Sequence, residues 1–314
     1  GTITTSNATA GNGAVTLGDA NTAITLGSGL TVNTSASNSN ITIASSATIA
    51  GAGKALTLNT GTGTISITSA LSGMGNLSFT ANEINWSAAI AGTGTLTLKP
   101  TTATNVINIG ASSDAGTSTL DILASELALL GSTFTGVTIG GGSQSGNISI
   151  AAASTFASPV TFTTSGSTIL SGNLSTTGSA GITVTNGMQV SGADRTITSA
   201  TGNITLAAVD ATGTAYGLTL TTTSRTINVA RVGGTSALAS LTTSAGGTTN
   251  FTGAGVTTTG AQTYNNAITL AADNAFTTTN SAIQFASTVN SATSTPRALT
   301  ANAGTSTITF TGAV

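Results

Sequence analysis

The sequence predicts an all-β fold, a parallel β-helix or solenoid made of many short coils. Three observations predict it. Apolar and small polar residues alternate in very short runs, turn-forming residues separate these runs every six to ten residues, and the runs recur at a spacing of 81 residues. We expect one continuous solenoid segment over residues 1–314, with about 15 coils of roughly 20 residues each.

The alternation is clearest in short segments such as Ile41–Ile43, Leu56–Leu58 and Ile204–Leu206, where one Thr separates two aliphatic residues. Alternation with a period of two places the aliphatic side chains on one face of a strand and the Thr side chains on the other. The runs span only three to five residues, shorter than the strands of ordinary sandwiches. A solenoid accommodates them, because each strand pairs with its counterparts one coil above and one coil below.

The long spacing is carried by Leu56, Val137, Leu218 and Leu299, each 81 residues after the previous one. We expect these four to occupy equivalent buried places about four coils apart. The predicted repeat units are therefore 1–55 (partial), 56–136, 137–217, 218–298 and 299–314 (partial). Since both ends of the chain fall inside a unit, we also expect the parent protein to continue the solenoid.

Two segments deviate from the pattern. Residues 118–131 read STLDILASELALLG, which fits a short helix with Ser118 and Asp121 in a capping box, or equally two ordinary strands. Residues 82–88 hold the sole tryptophan, Trp86. We expect Trp86 in the core or at a corner of a coil, and sugar stacking is the alternative.

The composition excludes several classes of function. Charged residues make up 4% of the chain, the net charge is −2, and both Cys and His are absent. Six cations over 314 residues cannot form a basic surface for phosphates, so we expect no nucleic-acid partner. No stretch approaches the roughly 20 apolar residues of a membrane helix, so we expect no membrane span.

Within Gly217–Phe276, the runs VGGTSALASLT (Val232–Thr242) and TTTGAQTYNNAITLAAD (Thr257–Asp273) resemble the long repeats of giant bacterial surface proteins of the filamentous-haemagglutinin type. Ser125–Gly140 resembles another recurrent element of that family. The resemblance implies a right-handed parallel β-helix in an exported protein that serves adhesion, aggregation or fibre formation at the cell surface.

Catalysis requires groups that ionise near neutrality or nucleophiles activated by them, and most acids of this chain stand alone in the sequence. Asp121 and Glu126 are the closest pair, and Asp194, Arg195 and Asp210 lie about one coil apart, as a surface ion pair would. We therefore expect no catalytic, cofactor-binding or metal-binding residue, no cofactor and no enzymatic activity. The acids are Asp19, Glu83, Asp114, Asp121, Glu126, Asp194, Asp210 and Asp273.

The predicted function is that of a non-catalytic structural segment, giving reach and rigidity to an extracellular bacterial fibre or cell-surface filament. Neighbouring filaments of the same protein are the expected partners. An adhesin that binds host or neighbouring cells is the alternative, with an ice-binding surface and a polysaccharide-degrading β-helix enzyme as lesser ones. Rows such as Thr196-Ile197-Thr198 suit ice binding, but Ser, Asn and Gly interrupt them along the chain.

Overall fold

The protein is an all-β parallel β-solenoid of about 13 turns with about 22 residues per turn, as a computed structural model describes it. The predicted fold class is confirmed, with slightly fewer and longer coils than expected, while the hand of the coil stays a prediction. The structure describes residues 1–5, 12–19, 23–44, 48–244, 246–292 and 295–314. The chain forms two compact units, Gly1–Gly166 and Ser167–Val314.

The first unit contains seventeen described strands and one short helix. They are β1 (Thr2–Thr4), β2 (Val15–Leu17), β3 (Ile24–Thr25), β4 (Leu30–Asn33), β5 (Ile41–Ile43), β6 (Ile49–Ala50), β7 (Leu56–Ile67), β8 (Leu71–Met74), β9 (Leu77–Trp86), β10 (Ile90–Gly92), β11 (Thr95–Lys99), β12 (Val106–Ala111), β13 (Thr119–Leu123), α1 (Ala124–Leu127), β14 (Gly136–Gly140), β15 (Ile148–Ile150), β16 (Ser154–Phe156) and β17 (Val160–Thr163).

The second unit contains seventeen described strands. They are β18 (Thr168–Leu170), β19 (Leu174–Thr176), β20 (Ile182–Val184), β21 (Met188–Val190), β22 (Arg195–Ser199), β23 (Ile204–Ala211), β24 (Leu218–Thr222), β25 (Thr226–Val232), β26 (Leu241–Thr243), β27 (Thr248–Thr258), β28 (Gln262–Tyr264), β29 (Ala267–Leu270), β30 (Asn274–Thr278), β31 (Ile283–Phe285), β32 (Val289–Ser291), β33 (Leu299–Asn302) and β34 (Ile308–Phe310).

Strands in the first unit stack in parallel on three faces. The first face runs β1, β4, β7, β9, β11, β14 and β17. The second face begins β2, β5, β7 and β9, and the third begins β3, β6, β8 and β10. Like residues stack on like along each face, so a continuous aliphatic core forms and each inner strand bonds on both sides.

The second unit repeats this arrangement. Its first face runs β20, β23, β25, β27, β29 and β32. Its second face runs β18, β21, β23, β25, β27, β30 and β33, and its third runs β19, β22, β24, β26, β28, β31 and β34. β-Branched residues suit these positions, because they pack well on a pleated surface.

The predicted division between interior and exterior is confirmed in the regular coils. Leu, Ile, Val and Phe of the inner positions are buried, whereas the intervening Thr side chains form outward columns. One such column on the third face of the second unit joins Thr196, Thr219, Thr242 and Thr263 in register. The exterior of the solenoid is therefore a ladder of small hydroxyl side chains.

The core of the second unit also holds a cluster of aromatic rings. Phe276 is fully buried and meets Phe251, Tyr264 and Phe285 edge to face, at ring-centre distances of 5.1, 5.3 and 5.3 Å. The Tyr264 hydroxyl donates to Oε1 of the buried Gln262 at 2.9 Å. The polar tip of the tyrosine is thus satisfied inside the core.

The expected equivalence of the four residues spaced by 81 is wrong in the second unit. Leu56, Val137 and Leu218 are buried, but Leu299 is only half-buried. Leu218 stacks on Leu241 in the third face, whereas Leu299 pairs with Asn274 in the second. The reason is arithmetic: at about 22 residues per turn, 81 residues make about 3.7 turns and do not return to the same face.

Candidate functional site

The regular stacking of the first unit is interrupted between β11 and β14. β12 pairs in parallel with β13 on one side and with β15 on the other, and β13 lies against β9. Along the second face the strands therefore follow the order β9, β13, β12 and β15, which differs from their order in the chain. Residues 112–118, which connect β12 to β13, approach the outward side of these strands.

This excursion gathers three carboxyl groups from separate segments. Glu83 lies in β9, Asp121 in β13, and Asp114 in the connection between β12 and β13. One carboxylate oxygen from each lies within 4.8 Å of those of the other two. Glu83 and Asp121 are 2% and 1% exposed, whereas Asp114 is exposed, so the cluster is buried on two sides and open to solvent on the third.

Hydrogen bonds fix both aspartates of the cluster. Asp121 accepts from the side-chain amide of Asn108 at 2.9 Å and from the backbone N–H of Ala115 at 2.8 Å. Asp114 accepts from the side-chain amide of Asn85 at 3.1 Å and from the backbone N–H of Gly116 at 2.5 Å. All four aspartate oxygens are therefore held in place by neutral donors, and each retains a lone pair for a further partner.

Glu83 differs from the two aspartates. Its Oε1 accepts from the Ile84 N–H at 3.2 Å, but its Oε2 is buried and has no hydrogen-bond donor. Burial raises the pKa of Glu83 to about 8, and the neighbouring Asp114, through its charge and a carboxyl–carboxyl hydrogen bond, and then Asp121 raise it further. Without a counter-ion, Glu83 therefore holds a proton at neutral pH.

A fourth acid, Glu126, lies next to the cluster in α1. Its Oε1 accepts from the backbone N–H of Trp86 at 2.9 Å and its Oε2 from that of Leu123 at 2.8 Å. The indole N–H of Trp86 donates to the Glu126 carbonyl at 2.7 Å. Burial raises the pKa of Glu126 to about 7, although these two backbone donors lower it. Glu126 thus joins α1 to β9, and a cleft of about 270 Å³ beside it is lined by Trp86 and Asp114.

These contacts decide between the alternatives for the two deviating segments. Residues 118–131 form both a strand and a helix: β13, then the single turn α1. The predicted capping box is wrong, because Ser118 lies in a turn before β13 and Glu126, not Asp121, caps the N–H groups at the start of α1. Trp86 is 3% exposed, as predicted for a core position, and a ring so buried offers no face for sugar stacking.

The predicted proximity of Asp194, Arg195 and Asp210 is not what the structure shows. Asp210 pairs with Arg231 at 3.3 Å, while Arg195 donates to the carbonyl of Ser191 at 2.9 Å. Residues 210 and 231 are 21 apart, close to one turn, whereas 195 and 210 are 15 apart and fall on different faces. Among residues in the described ranges, Arg231–Asp210 is the sole ion pair.

Sequence reasoning treated Glu83, Asp114 and Asp121 as isolated acids. A signal was nevertheless present, because four of the eight acids lie between residues 83 and 126. The two segments that deviate from the alternation, 82–88 and 118–131, are also those that meet here. What the sequence does not give is the reversed order of β12 and β13, which brings Asp121 towards β9.

Comparison with protein-family models, with curated proteins and with solved structures found no match for this chain. The described part of the chain has no helix of sufficient length and apolarity to span a membrane. The argument for function therefore depends on the chain's own architecture.

Proposed function

We propose that this chain is a structural segment of an extracellular bacterial fibre or cell-surface filament, similar to the repeats of filamentous-haemagglutinin-like proteins. Its role is to supply reach and rigidity without catalysis. The observation that carries the proposal is the regular parallel stacking within each unit, in which strands on three faces repeat the same pairing coil after coil.

Physical properties expected of such stacking favour a mechanical role. A coil that bonds to both neighbours along its backbone leaves few unpaired amides, and its packed core resists local opening. The outward columns of Thr add solubility without charge. Length in a solenoid grows with the number of coils, because each coil contacts only its neighbours.

Two experiments test the proposal. Antibodies raised against this chain should label filaments outside the producing cell in electron micrographs. Label confined to the cell interior would contradict both the localisation and the filament role.

The second experiment separates the structural role from adhesion. Deleting residues 204–226 in the parent protein removes one strand from each face and brings Ile227 to the place of Ile204, its neighbour in register. A structural segment should tolerate the deletion, with filament assembly and cell attachment both retained. Loss of attachment from assembled filaments would favour the adhesin instead.

A further inference from the structure

The cluster of Glu83, Asp114 and Asp121 is unusual in a chain with 4% charged residues. Three carboxylates with oxygens within 4.8 Å of one another repel each other when ionised. In the described residues, no Lys or Arg forms an ion pair with any of them. The aspartate oxygens are nevertheless held by amide donors that stabilise the ionised form.

A second observation comes from Glu83 itself. Its Oε2 is buried without a hydrogen-bond donor, and Glu83 is only 2% exposed. An unpartnered buried carboxylate oxygen is costly. Asn85 and Asn108 have their amide groups directed to the aspartates, so the protein supplies donors to the other two acids and none to this atom.

The geometry points to a site for a divalent cation of the calcium class, held by the carboxylates of Glu83, Asp114 and Asp121. Calcium binds oxygen ligands at about 2.4 Å, so two ligands of one ion lie at most about 4.8 Å apart. The three carboxylates meet that limit. Calcium also tolerates irregular coordination more readily than magnesium, as three carboxylates from three separate segments require.

The exposed Asp114 provides the route for the ion and leaves room for water ligands. An ion here would link β9 to β13 and to residues 112–118, the irregular part of the first unit. It would replace the repulsion between carboxylates by attraction and give Glu83 Oε2 a partner. The alternative occupant is a proton shared between Glu83 and Asp114, and the experiment separates the two.

Terbium serves as a luminescent substitute for calcium, and Trp86 is the sole tryptophan and lines the same cleft as Asp114. The full chain is treated with a chelator and titrated with terbium while Trp86 is excited. We expect sensitised luminescence that saturates at one ion per chain, that calcium displaces, and that a parallel calorimetric titration with calcium reproduces.

Asp114→Asn is the main variant, because Asp114 is exposed and the substitution leaves the fold intact. It should weaken calcium binding at least about tenfold, as should Glu83→Gln if that variant folds. Asp194→Asn is the matched control, since Asp194 is also exposed and also accepts a backbone N–H, that of Gly217, and it should bind like the unmodified chain. Absence of binding by the unmodified chain, as a shared proton predicts, or equal binding by Asp114→Asn and Asp194→Asn, would overturn the proposal.

Discussion

Replacing Phe276 by Ala should destabilise the second unit strongly. Phe276 is fully buried and three rings meet it edge to face at 5.1–5.3 Å. Truncating a buried Phe to Ala costs about 3–5 kcal/mol, and each edge-to-face pair contributes about 0.5–1.5 kcal/mol beyond burial. We therefore expect a loss near the upper end, about 4–5 kcal/mol. Phe276→Leu keeps most of the volume and should cost about 1–2 kcal/mol.

The measurement should be local, because a solenoid need not unfold as one cooperative unit. Hydrogen exchange followed by mass spectrometry on peptides from 246–292 gives the opening free energy around β27, β30 and β31, and peptides from 48–86 give an internal reference in the other unit. Gln284→Ala, an exposed position in β31, is the control and should change the opening free energy by less than about 0.5 kcal/mol. Equal effects of Phe276→Ala and Gln284→Ala would refute the reasoning that the aromatic cluster stabilises these coils.

Three further predictions concern the regular coils. Ile204→Asp should cost several kcal/mol by placing a charge in the aliphatic stack, whereas Arg225→Ala should change little; similar urea midpoints for the two would contradict the assignment of inside and outside. Gly247→Ala should destabilise its turn, since Gly247 has a φ of +69° and a Cβ there would overlap the carbonyl oxygen of Arg225; an unchanged melting temperature would disprove this. Deleting 204–226 should preserve the circular dichroism spectrum, whereas deleting 204–215 should abolish cooperative unfolding, because it removes part of a coil; comparable spectra and melting curves would argue against coil register as the determinant.

The contrast between the regular coils and the site shows what could be predicted. Alternation identified the strands around Ile41, Leu56 and Ile204 and their buried faces, because side-chain direction in a strand follows from the local backbone. It did not identify which coil lies beside which. Constant spacing failed for Leu218 and Leu299, since their separation is not a whole number of turns.

The sequence by itself determined the class of fold and the interior of each regular coil, because both depend on a pattern that repeats within a few residues. The tertiary structure alone decided that β13 follows β12 in the chain but lies between β9 and β12 in the second face. That order brings Glu83 within reach of Asp121, 38 residues later, and closes Asp114 over both. No local pattern encodes such a meeting, because it depends on the length and path of the irregular coil between the residues.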